Sequence, residues 1–283
     1  MAATRAGRIR SGLYTYSSLA PFIFFALFPF YFMVVTSFKS NAELYDLKSI
    51  PFWIQTGAIT DHYSLLFFKT DFFIWMKNSL IISVVATAVS LLISILAGYS
   101  LARLRFAGVG AFGTAVFITY LVPPTLLFLP LSQVVVWLGI SDSIWSLIVT
   151  YPTFLVPFST WLLMGYFRTI PKEVEECALV DGATRMQTLV RIVLPMAIPG
   201  IMASVLFGFT LTWNEFIYAL TFVSQTASKT AVVGVTADLI RGDIYYWGSL
   251  MAGAVLASVP IVIIYVIFLD YYVSGLTAGA VKG

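Results

Sequence analysis

The stretch Arg168-Thr-Ile-Pro-Lys-Glu-Val-Glu-Glu-Cys-Ala-Leu-Val-Asp-Gly-Ala-Thr-Arg-Met-Gln-Thr-Leu-Val-Arg-Ile-Val-Leu-Pro195 lies between two long apolar segments and is the most charge-dense part of the chain. Pro171 suits the first turn of a helix, where its missing N–H would have no partner anyway, and Glu173, Glu175 and Glu176 follow near the positive end of the dipole. A short helix therefore runs to about Val180. Gly182 tolerates the left-handed conformation that ends a helix, and Thr184 to Val193 can form a second helix before Pro195 stops it. The product is a helix, a glycine bend and another helix.

Val174, Cys177 and Ala178 fall on one narrow face of the first helix, with acids around them. A loop with only a solubilising role would be polar all over. This one combines small residues that permit close approach, acids able to meet basic groups and a fixed bend, and so has the character of a surface that docks another protein.

Of the 283 residues, 60% are hydrophobic and 10% charged, and the mean hydropathy is +0.94. That is too much apolar surface for a water-soluble domain of this length, so the chain belongs in a bilayer. The net charge of +3 is small and its basic residues are scattered, which leaves nucleic-acid binding without support. The one cysteine, Cys177, excludes an internal disulfide and is expected as a small packing residue. His62 has no companions at metal-ligand spacing and is expected at a surface or interface; no metal site is predicted.

Charge-free runs long enough to cross the hydrocarbon core, at about 20 residues each, define an all-α polytopic membrane protein of six transmembrane helices. The spans fall at about 17–37, 78–102, 110–129, 143–166, 198–222 and 247–273, within a transmembrane region of 17–273. Residues 1–16 form the N-terminal segment, 168–195 the charged loop and 274–283 a short tail, while 224–246 form a polar loop. Pro123-Pro124 and Pro130 mark the end of the third span. Six crossings put both termini on one side, and Arg5, Arg8, Arg10, Arg103, Arg105, Arg168, Arg185 and Arg191 all fall there, against Arg241 alone opposite. By the positive-inside rule that side, with both termini and the charged loop, is cytoplasmic.

The chain has no Gly-rich phosphate loop with its lysine, so it cannot bind ATP in the usual way. Its clear mid-span ionisable residue is Glu215, in Thr212-Trp-Asn-Glu-Phe-Ile-Tyr-Ala-Leu220. An acid among lipid tails costs on the order of 2 to 4 kcal/mol, so it should face a water-filled path or a partner helix. On a continuous helix Asn214, Glu215 and Tyr218 share overlapping faces. With Trp213 as a stacking surface, they suit either a hydroxylated solute along a substrate path or hydrogen bonding to a partner helix.

Glu176-Cys-Ala-Leu-Val-Asp-Gly182, followed by nine residues and Ile192-Val-Leu-Pro195, resembles the EAA loop of binding-protein-dependent ABC importer permeases, with Cys177 where alanine is usual. Trp213-Asn-Glu-Phe216 and the ending Gly275-Leu-Thr-Ala-Gly-Ala-Val-Lys-Gly283 extend the likeness to the smaller permease of maltose-type carbohydrate importers. The resemblance implies the importer-type permease fold and a multi-pass subunit of the bacterial inner membrane. It also implies a second related permease, two ATP-binding cassette subunits that hold the ATP and Mg, and an extracytoplasmic sugar-binding protein, with no cofactor on this chain. Glu175, Glu176, Cys177, Ala178, Asp181, Gly182 and Ala183 would couple to the ATPase, and Leu276, Thr277 and Gly279 of the tail would reach it. The same scaffold could import a polyol or glycerol-phosphate compound, and a proton-coupled carrier is a more distant alternative. The absence of lysine and arginine from the middle of the spans tilts toward neutral sugars.

Overall fold

Proline and charge punctuate the apolar runs, and the helices follow that punctuation. The computed structural model describes residues 5–241 and 244–278, with side chains over 14–240 and 246–269. The chain begins with α1 (Arg5–Ser37), α2 (Asn41–Tyr45), α3 (Asp61–Lys69) and α4 (Phe72–Arg103). Next come α5 (Val109–Leu121), α6 (Pro124–Trp137), α7 (Ile144–Thr150) and α8 (Pro152–Thr169). The charged stretch supplies α9 (Lys172–Val180), α10 (Arg185–Thr188), a π-helical turn Leu189–Val193 and α11 (Leu194–Met196). The rest is α12 (Ile198–Trp213), α13 (Ile217–Phe222), α14 (Ala231–Leu239), a two-residue antiparallel pairing of Ile240–Arg241 with Ile244–Tyr245, and α15 (Trp247–Ala278).

Among the described residues four helical stretches are long and apolar enough to cross a membrane: Tyr14–Ser37, Phe72–Arg103, Ile144–Thr169 and Trp247–Leu269. Two bent pairs raise the number to six if each is one span, α5 with α6 at 96° and Arg185–Met196 with α12 at 78°.

The bends correct three expectations. The single helix predicted over 110–129 is two helices, because a residue before proline is pushed out of the α region. Val122 and Pro123 are accordingly extended, with ψ of 121° and 126°, and Pro124 starts α6. The helix predicted over 198–222 stops at Trp213 and restarts at Ile217. Pro195 does not end the second helix of the charged stretch. The π-helical turn lengthens the hydrogen-bond register so that Leu194 N–H reaches Leu189 O, and Pro195 lands in the first turn of α11, where its missing N–H costs nothing. The bend comes at Ala197 instead, ahead of Pro199.

The segment 224–246 is likewise more than a polar loop. It carries α14, with Ala231 and Val233 buried, and α4 pins the residues before it: Asn78 Nδ2 donates to Ala227 O (2.8 Å) and Lys229 O (3.0 Å). The last helix runs on to Ala278, into the predicted tail.

The chain forms two units: one runs to Thr70 and takes in Val235–Val259, and the other comprises Asp71–Gly234 and the chain from Pro260. In the first, Lys39 and Glu43 form a buried ion pair (3.2 Å). Glu43 also accepts from Gln55 N (3.0 Å), Thr56 N (3.2 Å) and Thr56 Oγ1 (2.7 Å). Burial alone would raise its pKa, but these donors and Lys39 outweigh it and hold the carboxyl at about 2. His62, expected at a surface or interface, is buried. Its Nε2 lies 2.9 Å from Lys39 O, which can only accept, so Nε2 donates there, and Nδ1 hydrogen-bonds the Ser249 hydroxyl (3.1 Å).

In the second unit α4 packs lengthwise against α8 and α12. Its buried side is mostly small: Ser79, Ser83, Ala86, Thr87, Ser90, Ser94 and Gly98. Small residues let helix backbones approach closely where no hydrophobic force drives them together in lipid. At Gly98 an added Cβ would lie 3.1 Å from Met164 N and 3.2 Å from Thr160 O, so that crossing depends on glycine.

Candidate functional site

The charged stretch is a rigid bend built from two capping devices. At the end of α9, Ala183 N–H reaches Ala178 O (3.0 Å) and Gly182 N–H reaches Leu179 O (3.1 Å), the paired bonds of a Schellman motif, with Gly182 at φ +87°. One residue on, Thr184 Oγ1 accepts from Gln187 N (3.3 Å) while Gln187 Oε1 accepts from Thr184 N (2.8 Å), a reciprocal capping box that starts α10. The second half is anchored by burial: Leu189, Val193 and Ala197 pack with Tyr99, Leu163, Phe167 and Ile170.

Exposure sorts the predicted coupling residues. Glu176, Cys177, Asp181 and Gly182 are exposed and Ala183 is half-buried. Ala178 faces the protein, so the expected Val174, Cys177 and Ala178 strip is split between two sides of α9. The sequence alone did not mark the apolar side chains flanking the bend, of which Val180 is 87% and Met186 57% exposed.

Glu175 also turns inward. Its Oε1 pairs with Arg103 Nε at 2.5 Å, and its Oε2 accepts from Tyr99 OH at 3.0 Å. Arg103, the last residue of α4, also donates from Nη2 to Ile170 O (2.6 Å), the cap of α8. A single guanidinium thus ties together the ends of α4 and α8 and the start of α9. Removing one partner of such a pair leaves the other buried and uncompensated, at a cost of about 3 to 5 kcal/mol. The sequence marked neither Arg103 nor Tyr99 as a partner of the charged stretch, because nothing in separations of 72 and 76 residues announces the pairing.

The second candidate region is a cavity of about 620 Å³ where the two broken helices face each other, lined in part by Tyr120, Thr153, Phe154, Phe207, Thr210, Asn214 and Glu215. The break explains how an acid sits there. Glu215 lies outside both helices and caps α13, accepting from Tyr218 N (2.8 Å) and Ala219 N (3.0 Å), and it takes a further hydrogen bond from Tyr151 OH (3.0 Å). Asn214 donates to Thr210 O (2.9 Å) and remains exposed. Tyr218 is buried, its hydroxyl donating to Pro124 O (3.0 Å) across the two breaks. Trp213 is buried and stacked on Phe209, with centroids 5.4 Å apart, so it faces neither the cavity nor the surface. The four predicted residues therefore divide: Asn214 and Glu215 line the cavity, Tyr218 braces its wall through Pro124, and Trp213 packs away from it. Leu276 and Thr277 fall in the part of α15 whose side chains lie outside the described residues, and Gly279 lies outside them altogether.

The exposed bend and the broken helices that line the cavity belong to a chain of long apolar helices, in which irregular backbone at membrane depth is tolerated where protein or a cavity surrounds it. The family model described as "Binding-protein-dependent transport system inner membrane component" matches residues 90–277, and the chain belongs to that family. It is a multi-pass inner-membrane permease and not an enzyme. It is 36% identical, over 95% of each chain, to the inner membrane ABC transporter permease protein YcjP of Escherichia coli. It is 34% identical to the diacetylchitobiose uptake system permease protein DasC of Streptomyces coelicolor (91% of this chain, 92% of the relative). The trehalose/maltose transport system permease protein MalG of Thermococcus litoralis is 35% identical over the same shares. Among solved structures, a chain of a bacterial ABC transporter that imports the acidic polysaccharide alginate superposes with a TM-score of 0.78 at 21% identity, covering 96% of this chain and 99% of that one, and so shares its fold.

Proposed function

We propose that this chain is one of two permease subunits of an ATP-driven, binding-protein-dependent importer of a neutral di- or oligosaccharide. The observation that carries this reading is the capped bend at Gly182, which presents Glu176, Cys177, Val180 and Asp181 outward on a chain whose sequence has no Gly-rich phosphate loop. In this reading two ATP-binding subunits, holding ATP and Mg, grip the bend. The long helices and bent pairs make six crossings with both termini cytoplasmic, and the last helix and the tail beyond it approach the ATPase. The sugar-system names of the DasC and MalG relatives support a carbohydrate substrate, as does the absence of lysine and arginine from the cavity lining. Asn214 and Thr153 offer that cavity's amide and hydroxyl groups to a sugar.

Alternating access then follows from lever action. Closure of the ATPase pair moves α9, the spans open outward to accept sugar from the binding protein, and hydrolysis resets them. The test is reconstitution in proteoliposomes of the chain with its co-purifying permease, ATPase and binding protein. Uptake of labelled trehalose or maltose should require ATP and the binding protein. Uptake driven by a proton gradient without the ATPase would overturn the proposal, and uptake of glycerol phosphate in place of sugar would overturn its substrate class.

A further inference from the structure

We propose that Arg103 and Glu175 form the joint through which movement of α9 enters the membrane helices, acting as positioning residues and not as contacts of the ATPase. The inference rests on the coupling role of the bend proposed above.

Three observations carry it. First, adjacent acids on one short helix have opposite fates: Glu176 is exposed, whereas the Glu175 side chain is only 9% exposed and its partner Arg103 only 4%. An acid meant for the partner has no reason to be buried on the inner side. Second, the pair is reinforced at both ends, by Tyr99 OH on Glu175 and by Ile170 O under Arg103, so α9 is fastened to the ends of α4 and α8 together. Third, α4 runs from that joint along α8 and α12, and those two helices supply Thr153, Phe154, Phe207, Thr210 and Leu211 of the cavity wall. A displacement of α9 cannot leave α4 behind without separating two buried charges, so the movement is conveyed toward the cavity through rigid elements.

A static brace would use the same contacts, and the two roles differ in what fails. Loss of a brace lowers sugar uptake and ATP turnover in parallel with the amount of assembled complex. Loss of a joint leaves the complex assembled and turning over ATP while uptake falls. The experiment uses the full complex in proteoliposomes with binding protein, and cross-linking from the exposed native Cys177 to the ATPase reports docking. Glu175→Gln should keep the cross-link and raise the ATP hydrolysed per sugar imported by roughly tenfold. Tyr99→Phe, which removes one hydrogen bond and no charge, should raise it by less. The exchanged pair Arg103→Glu with Glu175→Arg should bring the ratio back toward wild type. An unchanged ratio in Glu175→Gln overturns the joint, and so does a parallel loss of uptake, turnover and complex that the exchanged pair does not reverse. If instead the wild-type complex gives no Cys177 cross-link, the docking role of the bend fails and takes the joint with it.

Discussion

Gly182 sits at φ +87°, and an added Cβ there would meet nothing within 4 Å. Any penalty for replacing it is therefore one of backbone conformation, about 1 to 2 kcal/mol for an L-residue in the left-handed region. Gly182→Val should loosen the Schellman closure, leave the membrane helices folded and raise the ATP consumed per sugar imported, while Gly182→Asn, which tolerates that region, should stay near wild type. A turnover-to-uptake ratio in Gly182→Val equal to that of the parent would show that the bend needs no fixed angle. The glycine was legible from the sequence because φ above zero selects residue types so strongly. The acids were not: Glu173, Glu175 and Glu176 are chemically alike, and which of them turns inward depends on Arg103 and Tyr99 far upstream.

Secondary-structure elements were legible in proportion to how local their causes are. The runs that became α4 and α15 needed only length and hydropathy, and α9 needed only Pro171, Gly182 and its acids. The break between α12 and α13 contains no proline or glycine in Asn214-Glu-Phe216. It is held open by a side chain doing backbone work, since Glu215 caps α13 and receives Tyr151 from α7's C-terminal cap. Glu215→Ala should leave three donors without an acceptor, each costing about 1 to 3 kcal/mol if water cannot reach it. Glu215→Gln keeps one acceptor oxygen and should lose less. Thermal unfolding of the detergent-solubilised complex should rank the stabilities wild type, Gln, Ala. Equal midpoints for Gln and Ala would mean that the carboxylate's capping geometry is not what holds the break.

At the scale of the molecule, the apolar runs and the spacing from Glu176 to Pro195 carried the fold class and the family, and Pro123-Pro124 carries the division of the third predicted span, while the division of the fifth depends on the tertiary contact of Glu215 with Tyr151 that no local pattern encodes. Orientation rests on the distribution of arginine, and the single exposed cysteine makes it directly measurable. A membrane-impermeant maleimide should label Cys177 in inside-out vesicles and leave it unlabelled in right-side-out ones, with ATPase subunits stripped in both. Labelling from the outside only would place the bend on the wrong face for a partner that uses cytosolic ATP.

The two consecutive caps at Gly182 and Thr184 carry a further consequence. A knuckle already folded before its socket closes on it gives up little conformational entropy on being grasped, so a modest footprint can be held firmly. Force applied to so stiff a part is spent on displacing it and not on tidying it, which is what a machine that spends fresh nucleotide on every cycle would require of its handle.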